Sequence, residues 1–348
     1  MALLKQVPEG VRSFIARFLF SMIVSSAKLV KDLFAKTIKT EPTRNGFGRG
    51  LVEAGKRNVS VVALCADLSE STRVLDFKHA FPDRYIQIGV SEQSLAAIAS
   101  GMALAGKIPF IASYAAFSPG RNWEQIRTTG CLQNVNLKIA GAHAGISVGP
   151  DGATHQMTED IALMRVLPNM TVLVPCDAIE AEKATIAAAE IDGPVYVRLG
   201  REATPIFTTE KSPFEVGKAQ VLSKGNDVAI IACGPQVYEA LKAARDLEKS
   251  GIETRVINCV SVKPLDTETI IKAAKECGAV VTVEEAQIAG GMGSAVCELL
   301  SQECPTPVIR MGMRDEFGQS GKPEELLEHY HLTAPWIVRA AKSVMKRK

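Results

Sequence analysis

Two histidines and an aspartate lie close together in a glycine-rich segment, residues 143–156. His143 follows an apolar run, and Asp151 and His155 fall within the same 13 residues, although the chain has only five histidines. A glycine-rich loop after a strand can be a plain turn. However, imidazole and carboxylate groups clustered in such a loop are typical of an active site. The segment is therefore predicted to carry chemistry.

Two further segments combine a predicted strand end with unusual side chains. In the first, Ser91 can cap a helix and Glu92 opens it, an arrangement that is also common for purely structural reasons. In the second, the aromatic residues Tyr114 and Phe117 lie three apart in a loop. They can pack between layers, or they can form a platform on which a flat ring stacks.

A glycine-rich stretch late in the chain imitates a dinucleotide-binding motif. Gly291 and Gly293 are followed by Val296, where that motif has a third glycine. As a fingerprint for a nicotinamide cofactor this is weak. A turn that lets a helix pack closely on its strand is the favoured interpretation. The sequence has no P-loop or H-E-x-x-H motif, which excludes the enzyme classes that depend on them.

The segments that must position these residues alternate between apolar runs and amphipathic stretches. In the first part of the chain the predicted strands are 60–66, 85–90, 107–113, 137–142, 170–175 and 194–199. The predicted helices are 91–106, 121–132, 158–167 and 178–190. Nearly continuous apolar strands separated by helices indicate a parallel sheet that is covered on both faces.

A break in the pattern at residues 202–226 predicts a crossing between two domains. Beyond it the strands are predicted at 227–234, 254–260, 279–285 and 306–312, with a helix at 237–251. We therefore predict an α/β fold with two doubly wound domains. The predicted division is an N-terminal extension over 1–39, a domain with a mainly parallel sheet over 40–205, and a smaller α/β domain over 206–348.

Composition and charge bear on which partners and which cellular compartment are expected. The 348 residues carry a formal net charge of +2, which gives no reason to expect a nucleic-acid partner. Eight cysteines without a C-x-x-C pair fit a reducing, cytoplasmic setting. The apolar stretch 14–30 is interrupted by Arg17 and Lys28 and is too short to span a bilayer, so no membrane partner is expected. It is predicted to be an amphipathic helix or an extension from an early start codon.

Taken together, the segments resemble the pyrimidine-binding and C-terminal domains of the transketolase family. The resemblance covers about residues 40–340 and is most specific in HAGISVGPDGATHQ. The other matching segments are PTRNGFGRGL, GVSEQSLAAIASGMAL, VRLGR and VEEAQIAGGMGSAV.

The resemblance implies thiamine diphosphate as the cofactor. In that case Glu92 would hydrogen-bond the aminopyrimidine and activate it, as a catalytic residue. Tyr114 and Phe117 would stack on and border the pyrimidine ring. Asp67 would lie near the thiazolium side of the cofactor.

It also implies a site for sugar phosphates. Asp151 would bind a hydroxyl of the donor ketose, and His155 would act on its C1 hydroxyl and carbonyl region as charge develops. The phosphate would be held by residues that offer cationic or hydroxyl groups, namely Arg44, Ser71, His143 and Arg201. Arg198 is a weaker candidate and can be structural.

The family binds Mg²⁺ and the diphosphate through a G-D-G motif, which this sequence lacks. The resemblance therefore implies that a partner N-terminal subunit supplies that half of the site, holds most of the Mg²⁺ ligands, and joins this chain in a heterotetramer. The predicted function is ketol transfer between sugar phosphates. The alternatives are the β subunit of a 2-oxo-acid dehydrogenase, an enzyme like deoxyxylulose-phosphate synthase, and a catalytically silent subunit.

Overall fold

A computed structural model describes residues 22–348. The strands are β1 (Thr40–Pro42), β2 (Val61–Cys65), β3 (Tyr85–Gln87), β4 (Ile108–Tyr114), β5 (Lys138–Ala142), β6 (Thr171–Leu173), β7 (Val195–Arg198), β8 (Ala203–Pro205), β9 (Gln220–Val221), β10 (Val228–Ala232), β11 (Thr254–Asn258), β12 (Ser261–Lys263), β13 (Val280–Gln287) and β14 (Val308–Met313). Most follow an apolar run of the sequence, as the alternating pattern predicts.

The helices lie mainly between these strands. They are α1 (Thr43–Arg57), α2 (Val74–Ala80), α3 (Glu92–Leu104), α4 (Trp123–Gln125), α5 (Asp160–Arg165), α6 (Ala178–Glu190), α7 (Gln236–Glu248), α8 (Thr267–Cys277), α9 (Met292–Glu303), α10 (Pro323–His329) and α11 (Ala334–Met345). A π-helix, Ile126–Cys131, continues α4. Short 3₁₀-helices occur at Ser25–Ala27, Pro82–Arg84 and Ile146–Asp151.

The first sheet has the strand order β12-β6-β7-β5-β4-β2-β3 and is parallel except for β12. Its central strands are buried throughout, which explains their unbroken apolar sequence. Separate apolar clusters pack against the sheet, one around Leu64, Ile111 and Ile139 and the other around Phe47 and Val197. The predicted parallel sheet with two covered faces is confirmed.

The second sheet has the order β14-β13-β10-β11-β9, with only β9 antiparallel. Its core contains Val228 and Ile230 of β10, Leu241 of α7 and Ile337 of α11. This sheet of five strands is smaller than the first sheet of seven. The predicted α/β fold class, with a second and smaller α/β unit, is therefore confirmed.

Some boundaries differ from the predictions. The strand predicted at 85–90 ends at Gln87, and Gly89 then adopts a positive φ of 81°. Half of the helix predicted at 121–132 is a π-helix. The strand β12 comes from residues beyond the predicted domain division, yet it pairs antiparallel with β6 of the first sheet. Pairing between distant segments is a tertiary property that local patterns do not carry. The division at residue 205 stays a prediction.

The predicted apolar stretch 14–30 lies partly outside the described residues. Within its described part only Ser25–Ala27 is helical. Met22 and Val24 are buried in the core of the second unit, and Val24 N donates to Leu222 O at 3.0 Å. Met22 and Val24 therefore pack against the second unit. No helix within residues 22–348 is long and apolar enough to cross a membrane.

Candidate active site

The carboxyl ends of neighbouring parallel strands bring the predicted residues to one edge of the first sheet. Tyr114 ends β4 and is in register with Ala142, the last residue of β5, so that His143 comes next to it. The loop after β7 carries Arg201, and the loop after β3 leads to Glu92 at the start of α3. Loops at this edge are where open α/β sheets bind ligands.

Glu92 is a buried carboxylate with 2% of the residue exposed. Its Oε2 accepts a hydrogen bond from Arg121 Nη1 at 2.7 Å, and Asn122 Nδ2 donates to its backbone oxygen at 2.9 Å. Within residues 22–348 no hydrogen bond reaches Oε1. One oxygen is thus fixed and the other is available to a ligand.

The aromatic residues form a continuous surface beside this carboxylate. The rings of Tyr114 and Phe117 stack with centroids 5.9 Å apart, and Tyr114 stacks on His143 at 3.9 Å. The ring of His155 meets the edge of Phe117 at 5.4 Å. The guanidinium of Arg121 lies 4.7 Å from the Phe117 centroid. This surface joins Glu92 to the histidine loop.

Arg44, in the first turn of α1, reaches across to the end of β5. Its Nη1 donates to Ser71 O at 3.0 Å and lies 3.1 Å from His143 Nε2. Because a guanidinium can only donate, Nε2 must accept, and the neutral ring carries its proton on Nδ1. Nδ1 of His143 and Nε of Arg44 are buried and have no partner within residues 22–348. Two touching side chains with unsatisfied donors are suited to an anion.

The charges around Arg44 and His143 also favour binding of an anion. Burial lowers the pKa of His143 to about 3, and the positive charges of Arg44 and Arg201 act in the same direction. Burial is also the main cause that lowers the pKa of Arg44. The imidazole is therefore neutral and the arginines remain charged, so the cluster has a net positive charge. A phosphate or sulfonate would neutralise it.

A close helix contact fixes the start of α1. A Cβ added at Gly46 would come within 1.8 Å of Ala178 O at the start of α6, so only glycine allows this approach. The hydroxyl of Thr43 accepts from Gly200 N at 2.7 Å, which ties α1 to the loop after β7. These contacts hold Arg44 and Arg201 on the same side of the sheet.

Arg201 and Asp151 form the outer part of the site. Arg201 Nη1 donates to Val148 O at 2.6 Å and lies 3.5 Å from Asp151 Oδ2. Both side chains are about one third exposed, so water weakens their attraction. Each can therefore exchange this partner for a substrate group.

Residues of the second unit contact the loop 143–156, which carries His143 and His155. Glu285 Oε1 accepts from Ser147 N at 2.6 Å, and a Cβ at Gly145 would lie 2.3 Å from the same oxygen. Gln156 Nε2 donates to Gln319 O at 2.9 Å. Gly145 has a positive φ of 88°, which suits glycine. The loop geometry thus depends on residues of both units.

Arg198 differs from Arg201, although they are three residues apart. Its Nε donates to Asp160 Oδ2 at 2.8 Å and its Nη2 donates to Glu285 O at 2.8 Å, with the whole group buried. Asp160 also accepts from Tyr196 Oη at 2.6 Å. Arg198 therefore links the two units through buried hydrogen bonds.

Not every predicted residue joins the cluster through side-chain contacts. Ser71 contributes its backbone oxygen, and Asp67 is exposed with its N–H donating to Gln87 Oε1 at 2.9 Å. Sequence reasoning missed Arg121 and Glu285 as neighbours of the site. No local pattern marks them, because the contacts join residues 29 and 138 positions apart.

The site also fits a flat, nitrogen-containing ring. The stacked aromatic surface would hold its face, and the free Oε1 of buried Glu92 would accept from or donate to a ring nitrogen. These are the groups that an aminopyrimidine needs. The fold and the site together define a class of α/β proteins that can hold a flat organic ring.

Comparisons with known proteins agree with this geometry. Residues 39–206 match the family described as "Transketolase, pyrimidine binding domain", and residues 217–337 match "Transketolase, C-terminal domain". A "Putative transketolase C-terminal section" of Methanocaldococcus jannaschii is 43% identical over 88% of this chain and 96% of its own length. The chain belongs to the transketolase family.

Two further relatives are similar over most of their length. The "6-deoxy-6-sulfo-D-fructose transketolase subunit SqwH" of Clostridium sp. is 41% identical over 86% of this chain and 92% of its own length. A solved structure described as "Split gene transketolase, inactive beta4 tetramer" is 47% identical, with a TM-score of 0.83 over 88% of this chain and 98% of that chain. The similarity thus extends to subunits of transketolases that are divided between chains.

Proposed function

We propose that this chain is the C-terminal subunit of a two-chain transketolase that moves a two-carbon ketol unit between sugar phosphates. The observation that carries the proposal is the buried contact between Arg44 and His143, each of which keeps an unsatisfied donor. A 2-oxo acid has no phosphate for such a cluster to bind. The cluster therefore favours ketol transfer over the chemistry of a 2-oxo-acid dehydrogenase.

Thiamine diphosphate would supply the electron sink for cleavage of the carbon–carbon bond. The chain's own residues would orient the cofactor's ring and hold the proton that it exchanges. Buried Glu92 would hold a proton at the aminopyrimidine through Oε1, and Tyr114 with Phe117 would fix the ring's plane. Asp67 would lie towards the thiazolium.

The sugar would extend from this point towards the arginines. Asp151 would bind a donor hydroxyl, and His155 would donate to the donor's oxygen as negative charge develops. Arg44, His143, Arg201 and the Ser71 region would hold the terminal phosphate. The sulfonated sugar in the name of the Clostridium relative carries an anion of similar size and charge.

A partner chain is part of the proposal. The diphosphate and Mg²⁺ would be held mainly by an N-terminal subunit, since this sequence has no G-D-G motif. The similar solved structure is described as an inactive tetramer of β chains, which supports the need for a second kind of subunit. Two chains of each kind would give a heterotetramer.

The test is ketol transfer from xylulose 5-phosphate to ribose 5-phosphate, with thiamine diphosphate and Mg²⁺. It is run with the chain alone, with the N-terminal subunit alone, and with the mixture. Activity in the mixture only is the expected result. A mixture that binds the cofactor but transfers no ketol unit from a phosphorylated or sulfonated sugar would contradict the proposal. Turnover of a 2-oxo acid by the same mixture would identify the alternative.

A further inference from the structure

A second cationic site lies in the other unit, away from the residues proposed for ketol transfer. A surface pocket of about 760 Å³ runs along β14, the outer strand of the second sheet, and α11. Its lining includes cationic and aromatic residues, namely Arg310, Arg314, Arg339, Arg347, His331 and Trp336. Within the described chain, no aspartate or glutamate lines it. The chain's nearly balanced charge is therefore locally uneven here.

The arginines of this pocket are not neutralised by ion pairs. Within residues 22–348 none of the four lies within 4 Å of a carboxylate, whereas most of the other described arginines do. Arg44 of the proposed phosphate cluster likewise lacks an ion pair within those residues. Asp315 and Glu316 follow Arg314 in sequence but line a different pocket. Unpaired guanidinium groups that share a depression are suited to an anion with several charges.

The pocket also has ordered walls. Arg310 Nη1 donates to Ile288 O at 2.8 Å, and Arg339 lies 4.3 Å from the Trp336 ring centroid. The ring centroids of His331 and Trp336 are 3.6 Å apart with the planes tilted by 32°, and Trp336 Nε1 donates to Glu328 Oε1 at 2.9 Å. Arg310 is thus held in place by a hydrogen bond, and Arg339, although exposed, packs on an aromatic ring. Exposed Arg314 and Arg347 remain free to close on a ligand.

We propose that this pocket binds a small molecule with two or more linked phosphate groups. A single phosphate can engage one or two arginine forks, whereas a diphosphate spans more of them. Arg314 directly follows the carboxyl end of β14, the edge at which open α/β sheets bind ligands. The site shares no residue with the Arg44 cluster, so it does not depend on ketol transfer.

The test measures binding of inorganic pyrophosphate to the full chain by titration calorimetry at fixed salt concentration. The double variant Arg314→Gln/Arg347→Gln is expected to lower the affinity by about 100-fold, roughly tenfold for each charge-assisted contact. The matched control is Lys107→Gln/Arg127→Gln, which removes the same charge from exposed residues of the first unit. It is expected to change the affinity less than about twofold.

Three results would overturn the proposal. The first is no binding of pyrophosphate by the unsubstituted chain, and the second is an equal loss of affinity in both double variants. The third is orthophosphate binding as tightly as pyrophosphate and losing the same affinity in Arg314→Gln/Arg347→Gln, which would contradict a ligand with linked phosphates at this pocket. Because Arg314 and Arg347 are exposed, both variants are expected to keep the unfolding midpoint of the parent chain.

Discussion

Glu92 and Glu284 are both buried carboxylates near the start of a helix, yet their surroundings differ. Glu284 lies in β13, where its Oε2 accepts from Met292 N at 2.7 Å and its Oε1 accepts from Gly293 N at 2.8 Å. Both oxygens thus cap α9. Glu92 has a partner within residues 22–348 for Oε2 alone, the half-exposed Arg121.

The difference shows that burial by itself does not mark a catalytic acid. Burial raises the pKa of Glu284 to about 7, and the two backbone N–H groups oppose that rise. With both oxygens engaged, Glu284 stabilises a turn that a Cβ at Gly293 would disrupt, since that atom would lie 2.4 Å from Thr282 Oγ1. This confirms the prediction that the glycine-rich stretch serves close helix packing. A free oxygen, not burial, separates the proposed catalytic carboxylate from the structural one.

The largest expected effect is on catalysis by the Glu92→Gln variant. Glutamine keeps the shape but cannot exchange a proton, so ketol transfer by the assembled enzyme should fall about a thousandfold. The steady-state rate measures this, with Glu303→Gln, an exposed acid in α9, as the matched control. Unchanged activity in Glu92→Gln would show that Glu92 is not catalytic, although one of its oxygens is free.

The next effect is on stability, in the Glu284→Ala variant. Loss of the carboxylate leaves two buried backbone donors unpaired, which should lower the free energy of unfolding by about 3 kcal/mol. Urea unfolding of the full chain measures this change, and Glu303→Ala should shift it by less than about 0.5 kcal/mol. If Glu284→Ala unfolds at the parent urea concentration, the capping role is wrong.

A smaller effect is expected for Arg44→Gln. Because Arg44 would contact the substrate's phosphate, KM for a phosphorylated donor should rise about 30-fold, which corresponds to about 2 kcal/mol. An unphosphorylated ketol donor should be affected little. Arg49→Gln in the same helix is the control, since Arg49 pairs on the surface with Glu41 and Glu182. An equal loss with both donors would show that Arg44 supports the fold instead.

Per pH unit, the smallest effect is a pH dependence of the free energy of unfolding that comes from His143. Its folded-state pKa of about 3 lies below the ordinary 6.5, so between these values the unfolded chain binds the additional proton. This contribution to stability is therefore lost as the pH falls from 6.5 towards 3, by at most about 1.4 kcal/mol per pH unit. Urea unfolding at several pH values should show a shallower slope for His143→Gln. An identical slope would mean that His143 has the same pKa in the folded and the unfolded chain.

Local sequence was enough to predict most of the fold and the position of most site residues. Tyr114 and His143 directly end or follow buried strands, so parallel pairing had to bring them to one edge. The alternation of apolar runs and helices likewise predicted both sheets. The chemical roles of these residues stay predictions until activity is measured.

Other features required the folded chain. The pair of Arg121 with Glu92 and the bond from Ser147 N to Glu285 join residues far apart in sequence. The strand β12 joins the sheet of the first unit from a distant segment. Such contacts depend on how packed layers meet, which no short window of sequence encodes.

The sequence by itself determined the family, the two α/β units and the residue types at the strand ends. The spacing of apolar residues and the positions of turn residues are local properties, so they can be read directly from the sequence. Only the tertiary structure decided which buried acid keeps a free oxygen, which arginine is structural, and where unpaired arginines gather. Each of these depends on the partners within hydrogen-bonding distance, and folding alone brings such partners together.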